Sequence, residues 1–359
     1  MTTTTTPLDI KGALKHGLAA VIALCVAACG GSAVVPEAPV AALDKAPTAD
    51  VPVTTKAFLI SSVAVPSYLN EELKAFDVLN GARDGCGFGK LAQDTKLDAM
   101  ATNHVKWLIK NGTLGQSEIN IPVDTKKGEV NFFTGETVQD RARVAGYQDY
   151  TEVVEGSGDY AQVLGANISI STWLSAPYHA LGLLRGHRDV GIGIGVIPFN
   201  KDDPSAAYNR KIVVTRGLLK KGAWQTAESN TVRTYPCEGS TDVESALYGE
   251  TPSPVPARDL VAHPLGTSIA VVGDVGKQMK ITSATMKGPS GATVTLRTPA
   301  NSLTDPNPSY LQSNEAYVIA DAPLSPSTSY QVMIAGTNGT LPFSKSFTFT
   351  TRSSSQPKP

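Results

Sequence analysis

Apolar residues recur at helical spacing through the first half of the chain. They predict a helix over about Tyr68–Ala82 and a second over Thr95–Lys110, which Asp94 caps and Gly112 ends. A third helix is predicted over about Tyr160–Ser175. Its apolar positions are Tyr160, Val163, Leu164, Ile168 and Leu174.

The pattern changes after Ser175. Pro177 ends the third helix and suits the first turn of a short helix through Leu184. His179 then lies in that first turn, where the helix dipole disfavours the imidazolium form of the ring. Val190–Ile197 alternates apolar residues with glycine, which predicts a strand closely crossed by neighbouring backbone. The β-branched segment Arg210–Leu219 predicts another strand.

Beyond a composition break at Thr251–Pro256, short strands replace the helical pattern. The predicted strands are Ser268–Val272, Gln278–Met286, Ala292–Arg297, Ala316–Ala320, Ser329–Gly336 and Ser344–Thr351. Their regular spacing indicates a smaller all-β sandwich, in which Tyr330 bonds back to the preceding loop as a corner tyrosine. No cluster of acids, histidines or serines stands out here, so a spacer or adhesion role is expected.

The N-terminal residues predict export. Lys11, Lys15 and His16 precede the uncharged run Gly17–Ala28, which is roughly a dozen residues against the ~20 needed to span a bilayer. The V-A-A-C sequence that ends in Cys29 resembles a bacterial lipobox, which implies cleavage before Cys29 and its lipidation. The alternative is an ordinary signal peptide with an incidental cysteine.

The composition of the chain limits which classes of partner are expected. The chain has 359 residues and a net charge of −1 with interspersed charges, so nothing indicates nucleic-acid binding.

Of its four cysteines, Cys25 is removed with the signal and Cys29 is used by lipidation. Cys86 and Cys237 remain as one disulfide pair in an oxidising compartment, worth about 4–5 kcal/mol for so long a loop. Metal ligation by two isolated cysteines is the poorer interpretation.

Five motifs in order resemble a known family. They are N-G-A-R at Asn80, L-D-A-M-A-T-N-H at Leu97, D-R-A-R-V-A-G-Y at Asp140, T-E-V at Thr151, and W-L-S-A-P-Y-H with V-G-I-G-I-G from Trp173. Together they resemble the CAP superfamily, the SCP-like extracellular relatives of cysteine-rich secretory, antigen 5 and pathogenesis-related proteins. The resemblance covers about Pro66–Cys237 and implies an α–β–α sandwich. The second half resembles bacterial Ig-like modules of the fibronectin type.

The resulting organisation has six parts. They are a lipoprotein signal peptide (1–28), a flexible tether (29–65), a CAP domain (66–240), a linker (241–256), an Ig-like β-sandwich (257–352) and a disordered tail (353–359). An exported lipoprotein of this kind is anchored in the membrane through Cys29. Gly30 after the lipidated cysteine resembles lipoproteins sorted outward, to the outer membrane or the cell surface.

The resemblance also implies a cleft lined by histidines and acids. His179 and Glu152 match the family's cleft residues, and His104 matches its helix histidine, although a histidine on an apolar face is as readily a satisfied core residue. Where bacterial members have a further histidine, this chain has Gln116 or Glu118, which puts a full tetrad in doubt. Glu155 is an alternative acid to Glu152.

Three functions follow from that cleft. The favoured one is binding of a lipid, sterol, fatty acid or cell-wall ligand without turnover. The second is a hydrolase or peptidase that uses His179 with Glu152, for which Ser175 is a weak candidate nucleophile. The third is a site for zinc or another divalent cation, formed by His104, His179 and Glu152.

Overall fold

The structure is a computed structural model that describes residues 57–160, 165–197, 210–219 and 222–353. The predicted signal peptide, the lipidation site at Cys29, most of the tether, the loop Asn200–Asn209 and nearly all of the tail lie outside these ranges. The described residues belong to one compact unit and form helices and sheets, which confirms the mixed α+β class. None of the helices in these ranges combines the length and apolar character needed to cross a membrane.

The first half contains helices and a four-stranded sheet. The elements are α1 (Asn70–Gly85), β1 (Ala92–Gln93), α2 (Thr95–Asn111), α3 (Val138–Val144), β2 (Tyr150–Tyr160), α4 (Ala166–Ser175), α5 (Pro177–Leu184), β3 (Asp189–Val196) and β4 (Arg210–Leu219). The strand order is β1-β3-β4-β2, with β1 parallel to β3 and the other pairs antiparallel.

Local signals set the ends of two helices as predicted. The Asp94 carboxylate accepts hydrogen bonds from the backbone N–H groups of Lys96 and Leu97, so it caps α2. Gly112 ends the same helix with φ 60°, a left-handed conformation that favours glycine. Pro177 is the first residue of α5, where its missing N–H is not needed.

The glycines of β3 allow α2 to lie directly on the sheet. A Cβ added to Gly191 would lie 2.1 Å from the backbone of Leu97, and one added to Gly193 would lie 2.5 Å from the backbone of Ala101. The alternate residues Val190 and Ile192 point to the other face, into a core shared with α1, α4 and α5. The predicted close crossing of this strand is confirmed, and helices cover both faces of the sheet.

The prediction of one helix over Tyr160–Ser175 is wrong at its beginning. Tyr160 is the last residue of β2, and α4 begins at Ala166. Its end at Ser175 is confirmed. The sequence pattern does not indicate β2, because the strand is glycine-rich and charged, without a clear apolar alternation.

Asn80 and Arg83, the polar residues of the N-G-A-R motif, bind backbone groups. Asn80 exchanges two hydrogen bonds with the backbone of Leu91. Buried Arg83 donates to the carbonyl groups of Leu183 and Arg185 at the end of α5, at 2.6 and 2.8 Å. The motif therefore fixes the C-terminal end of α5 against α1.

The second half is built from two sheets. Its strands are β5 (Arg233–Tyr235), β6 (Ser240–Val243), β7 (Ser268–Val272), β8 (Met279–Lys287), β9 (Thr293–Val294), β10 (Ala300–Asn301), β11 (Glu315–Ile319), β12 (Ser329–Asn338) and β13 (Leu341–Thr351). The sheets have the orders β10-β11-β7-β5 and β6-β13-β12-β8-β9. The Tyr330 hydroxyl accepts a hydrogen bond from the backbone N–H of Ser325, as predicted for a corner tyrosine.

Two of these strands are buried on both faces. Ile269 and Val271 of β7 lie in the core between the two sheets, whereas Ala270 and Val272 lie in the core of α1, α4 and α5. The side chains of strand β11 divide in the same way. Val318 lies in the core between the two sheets, and Tyr317 lies in the core of α1, α4 and α5. One hydrophobic core therefore runs from the first half into the second.

The predicted disulfide between Cys86 and Cys237 is present. It joins the end of α1 to the turn between β5 and β6. Both of these strands pair with strands of the second half, β5 with β7 and β6 with β13. The sheets of the second half thus include residues 233–243, which the sequence analysis placed around the end of the first domain.

Candidate functional site

His104 lies in a buried charged cluster on the α2 side of the sheet. Its Nδ1 is 2.9 Å from Glu118 Oε1, and its Nε2 is 2.9 Å from the carbonyl oxygen of Gly115 and 3.3 Å from Glu155 Oε1. Arg141 donates to Glu155 at 2.6 Å. The side chains of His104, Glu118, Glu155 and Arg141 are all 0 % exposed, so none of them meets a ligand from solvent in this conformation.

This cluster holds the irregular segment 113–135 against the sheet. Glu118 accepts hydrogen bonds from the backbone N–H groups of Thr134 and Gly135, at 2.7 and 3.3 Å. Arg141 donates to the carbonyl of Gln116 and to those of Gly135 and Glu136. Burial raises the pKa of Glu155, against the opposing effects of the His104 and Arg141 charges. These contacts assign His104 a structural role, the simpler of the two interpretations made from the sequence.

Glu152 lies on the opposite face of the sheet and contacts His187. Its Oε2 is 3.2 Å from His187 Nε2, without the alignment of a hydrogen bond, and its side chain is 20 % exposed. The His187 ring is completely buried and packs against Trp224, with ring centroids 5.1 Å apart. Glu152 is therefore the member of the His187–Glu152 pair that reaches solvent.

Burial controls the charge of this pair. It is the main reason that the pKa of His187 is lowered to about 4. The charges of Arg216 and Arg185 lower this pKa further, and Glu152 offsets these effects only in part. The ring is therefore neutral near pH 7. Burial alone would raise the pKa of Glu152, but the His187 contact and the nearby charges of Arg185 and Arg216 outweigh it and lower that pKa. Of these lowering effects, the contact with His187 is the largest, and the charges of the two guanidinium groups add to it.

His179 is paired with Glu250, a residue that the sequence analysis did not consider. Its Nδ1 is 2.9 Å from Glu250 Oε1, and its backbone N–H donates to the same oxygen at 2.8 Å. The ring stacks on Trp173 of α4, with centroids 5.4 Å apart and planes 27° apart. The His179 side chain is 26 % exposed and that of Glu250 is 0 % exposed, so the imidazole is the accessible member of the pair.

The three residues predicted to share a cleft therefore belong to three different clusters. Alternate residues of β2 point to opposite faces of the sheet. Glu155 meets His104 on the α2 face, whereas Gly156 and Gly158 lie against Trp173 on the α4 face, the face to which Glu152 also points. In the described ranges, no group of three or more His, Cys, Asp or Glu side chains is arranged to hold a metal ion. The set of His104, His179 and Glu152 is thus not supported as a ligand set.

Ser175, the candidate nucleophile, is also unsuited to that role. It is buried at the end of α4, and its hydroxyl donates to the carbonyl oxygen of Thr172 at 2.7 Å. A hydroxyl held in this way cannot attack a substrate at His179 without a rearrangement of the helix end.

Two residues of these clusters escaped the sequence analysis. His187 lies two residues before β3, so its nearness to the predicted site was a usable signal. Glu250 is 71 residues away from His179 in the chain and beside the predicted linker, where no motif marks it.

Two surface concavities lie elsewhere on the described part. One of ≈ 390 Å³ is lined by Arg143, Gln148, Asp149 and Tyr150. Another of ≈ 420 Å³ lies in the second half, next to Pro254, Leu296 and Tyr317. Neither is lined by His104, Glu152 or His179.

A scan against models of known protein families and a search of curated proteins found no match to this chain. The CAP resemblance therefore depends on the ordered motifs of the sequence itself.

Proposed function

We propose that the chain is an exported, lipid-anchored envelope protein of the CAP type, with an Ig-like second half, which binds an envelope ligand at His179 without turnover. The ordered motifs support the family, and the lipobox-like sequence before Cys29 supports the anchor. The disulfide between Cys86 and Cys237 agrees with an oxidising compartment.

One observation carries the choice of His179. It is the predicted cleft histidine whose ring is both accessible and fixed, by Glu250 on one edge and Trp173 on one face. His104 is sealed in its cluster, and the exposed part of the Glu152 cluster is a carboxylate that already balances buried arginines. Binding without turnover is favoured because Ser175 offers no free hydroxyl next to the ring.

A binding experiment tests this function. The full chain carrying Cys29→Ser, which removes the lipidation site, is exported and incubated with bacterial polar lipids or with soluble peptidoglycan fragments. Native mass spectrometry measures the retained ligand. We expect one of these two probes to bind intact and His179→Ala to weaken its binding about tenfold, the effect of losing one hydrogen bond of about 1.4 kcal/mol.

The matched control is His263→Ala, since His263 is exposed in the second half and is not among the described contacts of His179. This variant should bind as the parent does. Failure of the parent to bind either probe, or equal losses in both histidine variants, would contradict the proposal.

A hydrolase is the second candidate, favoured by the contact between His179 and Glu250. A carboxylate on Nδ1 suits a ring that removes a proton from water through Nε2. Cleaved products in the same binding mixtures, abolished by His179→Ala, would decide for this alternative.

A further inference from the structure

Helix α5 begins without a cap of its own. Ala176, the residue before it, has no side chain that can bond the free N–H groups of the first turn. Glu250 supplies that bond from 71 residues away, through Oε1 and the N–H of His179. The position also favours a negative charge, because the N-terminal end of a helix carries partial positive charge.

The same oxygen determines which ring nitrogen of His179 is protonated. A carboxylate only accepts hydrogen bonds, so the Nδ1 atom 2.9 Å away must carry the proton. In the neutral ring, Nε2 is then the unprotonated nitrogen. Among the residues that the structure describes, the contacts of His179 involve Nδ1, the backbone N–H and the ring face, and none involves Nε2.

The second half of the molecule holds Glu250 in place. Leu247, three residues before it, exchanges two backbone hydrogen bonds with Leu265. The carbonyl of Ser245 accepts from the N–H of Leu324. The next residue to His179, Tyr178, donates to Asp305 at 2.8 Å and accepts from Asn307. Both the acid and the helix that bears the imidazole are thus fixed by residues outside the CAP resemblance.

We propose that Glu250 is the positioning residue of His179, which it holds as the Nδ1–H tautomer so that Nε2 presents a lone pair to a ligand bearing a hydroxyl or amide N–H donor. The use of that lone pair by a ligand depends on the proposed function, but the tautomer does not. The second half of the chain then completes the site of the first half and is more than a spacer. The second oxygen of Glu250, Oε2, is buried without a partner among the described residues, so the ring of His179 is the part of the pair that a ligand can reach.

The tautomer is measured directly on the full chain in the absence of ligand. Long-range proton–nitrogen correlation spectra of the protein labelled with ¹⁵N-histidine distinguish the two forms, at a pH where the ring is neutral. The His179 signals are assigned by their loss in His179→Gln. We expect unprotonated Nε2 in the wild type. A wild-type ring that is protonated on Nε2 and not on Nδ1 would overturn the proposal, whatever the variants show.

Two variants separate positioning from support of the fold. Glu250→Met keeps the length of the side chain but removes the acceptor, so it should move the ring toward the Nε2–H form. Glu250→Gln retains one acceptor oxygen and should preserve part of the wild-type tautomer. Glu228→Gln removes an exposed acid nearby in the chain and should change nothing.

The His104 signals report folding in each variant, since that ring is buried in a separate cluster. If Glu250→Met keeps these signals and leaves the His179 tautomer unchanged, Glu250 is not the positioning residue. If the parent chain shows the expected His179 tautomer but binds neither ligand probe, only the proposed function is contradicted.

Discussion

His187 is an ionisable ring that the fold keeps out of water. Burial lowers its pKa to about 4, from about 6.5 in an unfolded chain. Between these values the unfolded chain binds a proton that the folded protein does not. His187 therefore lowers the stability of the fold as the pH falls from 6.5 towards 4. Glu152 acts in a lower range, because its own pKa is lowered and its stabilisation is lost only below about 4.5.

Replacing His187 by Phe should remove this acid sensitivity. The phenyl ring can take the same place against Trp224, and it binds no proton. The unfolding free energy of the wild type, measured in urea, should fall by about 2 kcal/mol more than that of His187→Phe between pH 7 and pH 5. His263→Gln at the exposed histidine is the control and should follow the wild type. Parallel pH profiles for wild type and His187→Phe would show that the fold does not lower the pKa of His187.

The site residues show how far single positions can be predicted. His179 was found because Pro177 fixes a helix beginning two residues earlier, which is local information. The acid expected beside it, Glu152, came from the family resemblance, whereas the acid in contact with His179 in the structure is Glu250. With β2 recognised as a strand, the spacing of three between Glu152 and Glu155 would have placed them on opposite faces. No local rule could have indicated Glu250.

At the scale of elements, the contact between β3 and α2 is set by glycine. Gly191 and Gly193 each have room for hydrogen only, because an added Cβ would lie 2.1 Å and 2.5 Å, respectively, from the backbone of α2. The sequence pattern predicted this crossing. In contrast, β2 was missed because its residues carry no apolar alternation, and it is held in place chiefly by its long pairing with β4.

Gly193→Ala should be strongly destabilising. Its Cβ would lie 2.5 Å from the backbone of Ala101, so α2 would have to move away from the sheet, at a cost of about 3 kcal/mol or more. Gly81→Ala is the matched control, because Gly81 lies in α1 with nothing within 4 Å of the added Cβ. That change should stabilise the protein by about 0.5–1 kcal/mol. Thermal unfolding of both variants measures the difference, and equal stabilities would contradict the close approach of α2.

At the scale of the whole molecule, the two halves share more than a linker. Strands β7 and β11 separate two cores and contribute side chains to both, and Arg185 after α5 binds Glu315 of β11 at 2.8 and 2.9 Å. The Pro-rich break near Thr251 predicts two domain-sized parts. It could not predict their joint core, although the unbroken apolar run of β7 is typical of a strand covered on both faces.

This shared core should make the two halves unfold together. All three tryptophans lie before residue 257, so tryptophan fluorescence reports the first half. Val332→Ala removes two methyl groups from the core between the sheets of the second half, at a cost of about 2 kcal/mol. We expect the fluorescence midpoint in urea to fall with that of the far-ultraviolet circular dichroism signal. Met333→Ala, on the exposed face of the same strand, should leave both midpoints nearly unchanged. If Val332→Ala shifted only the circular dichroism midpoint, the halves would be independent domains joined by contacts too weak to couple them.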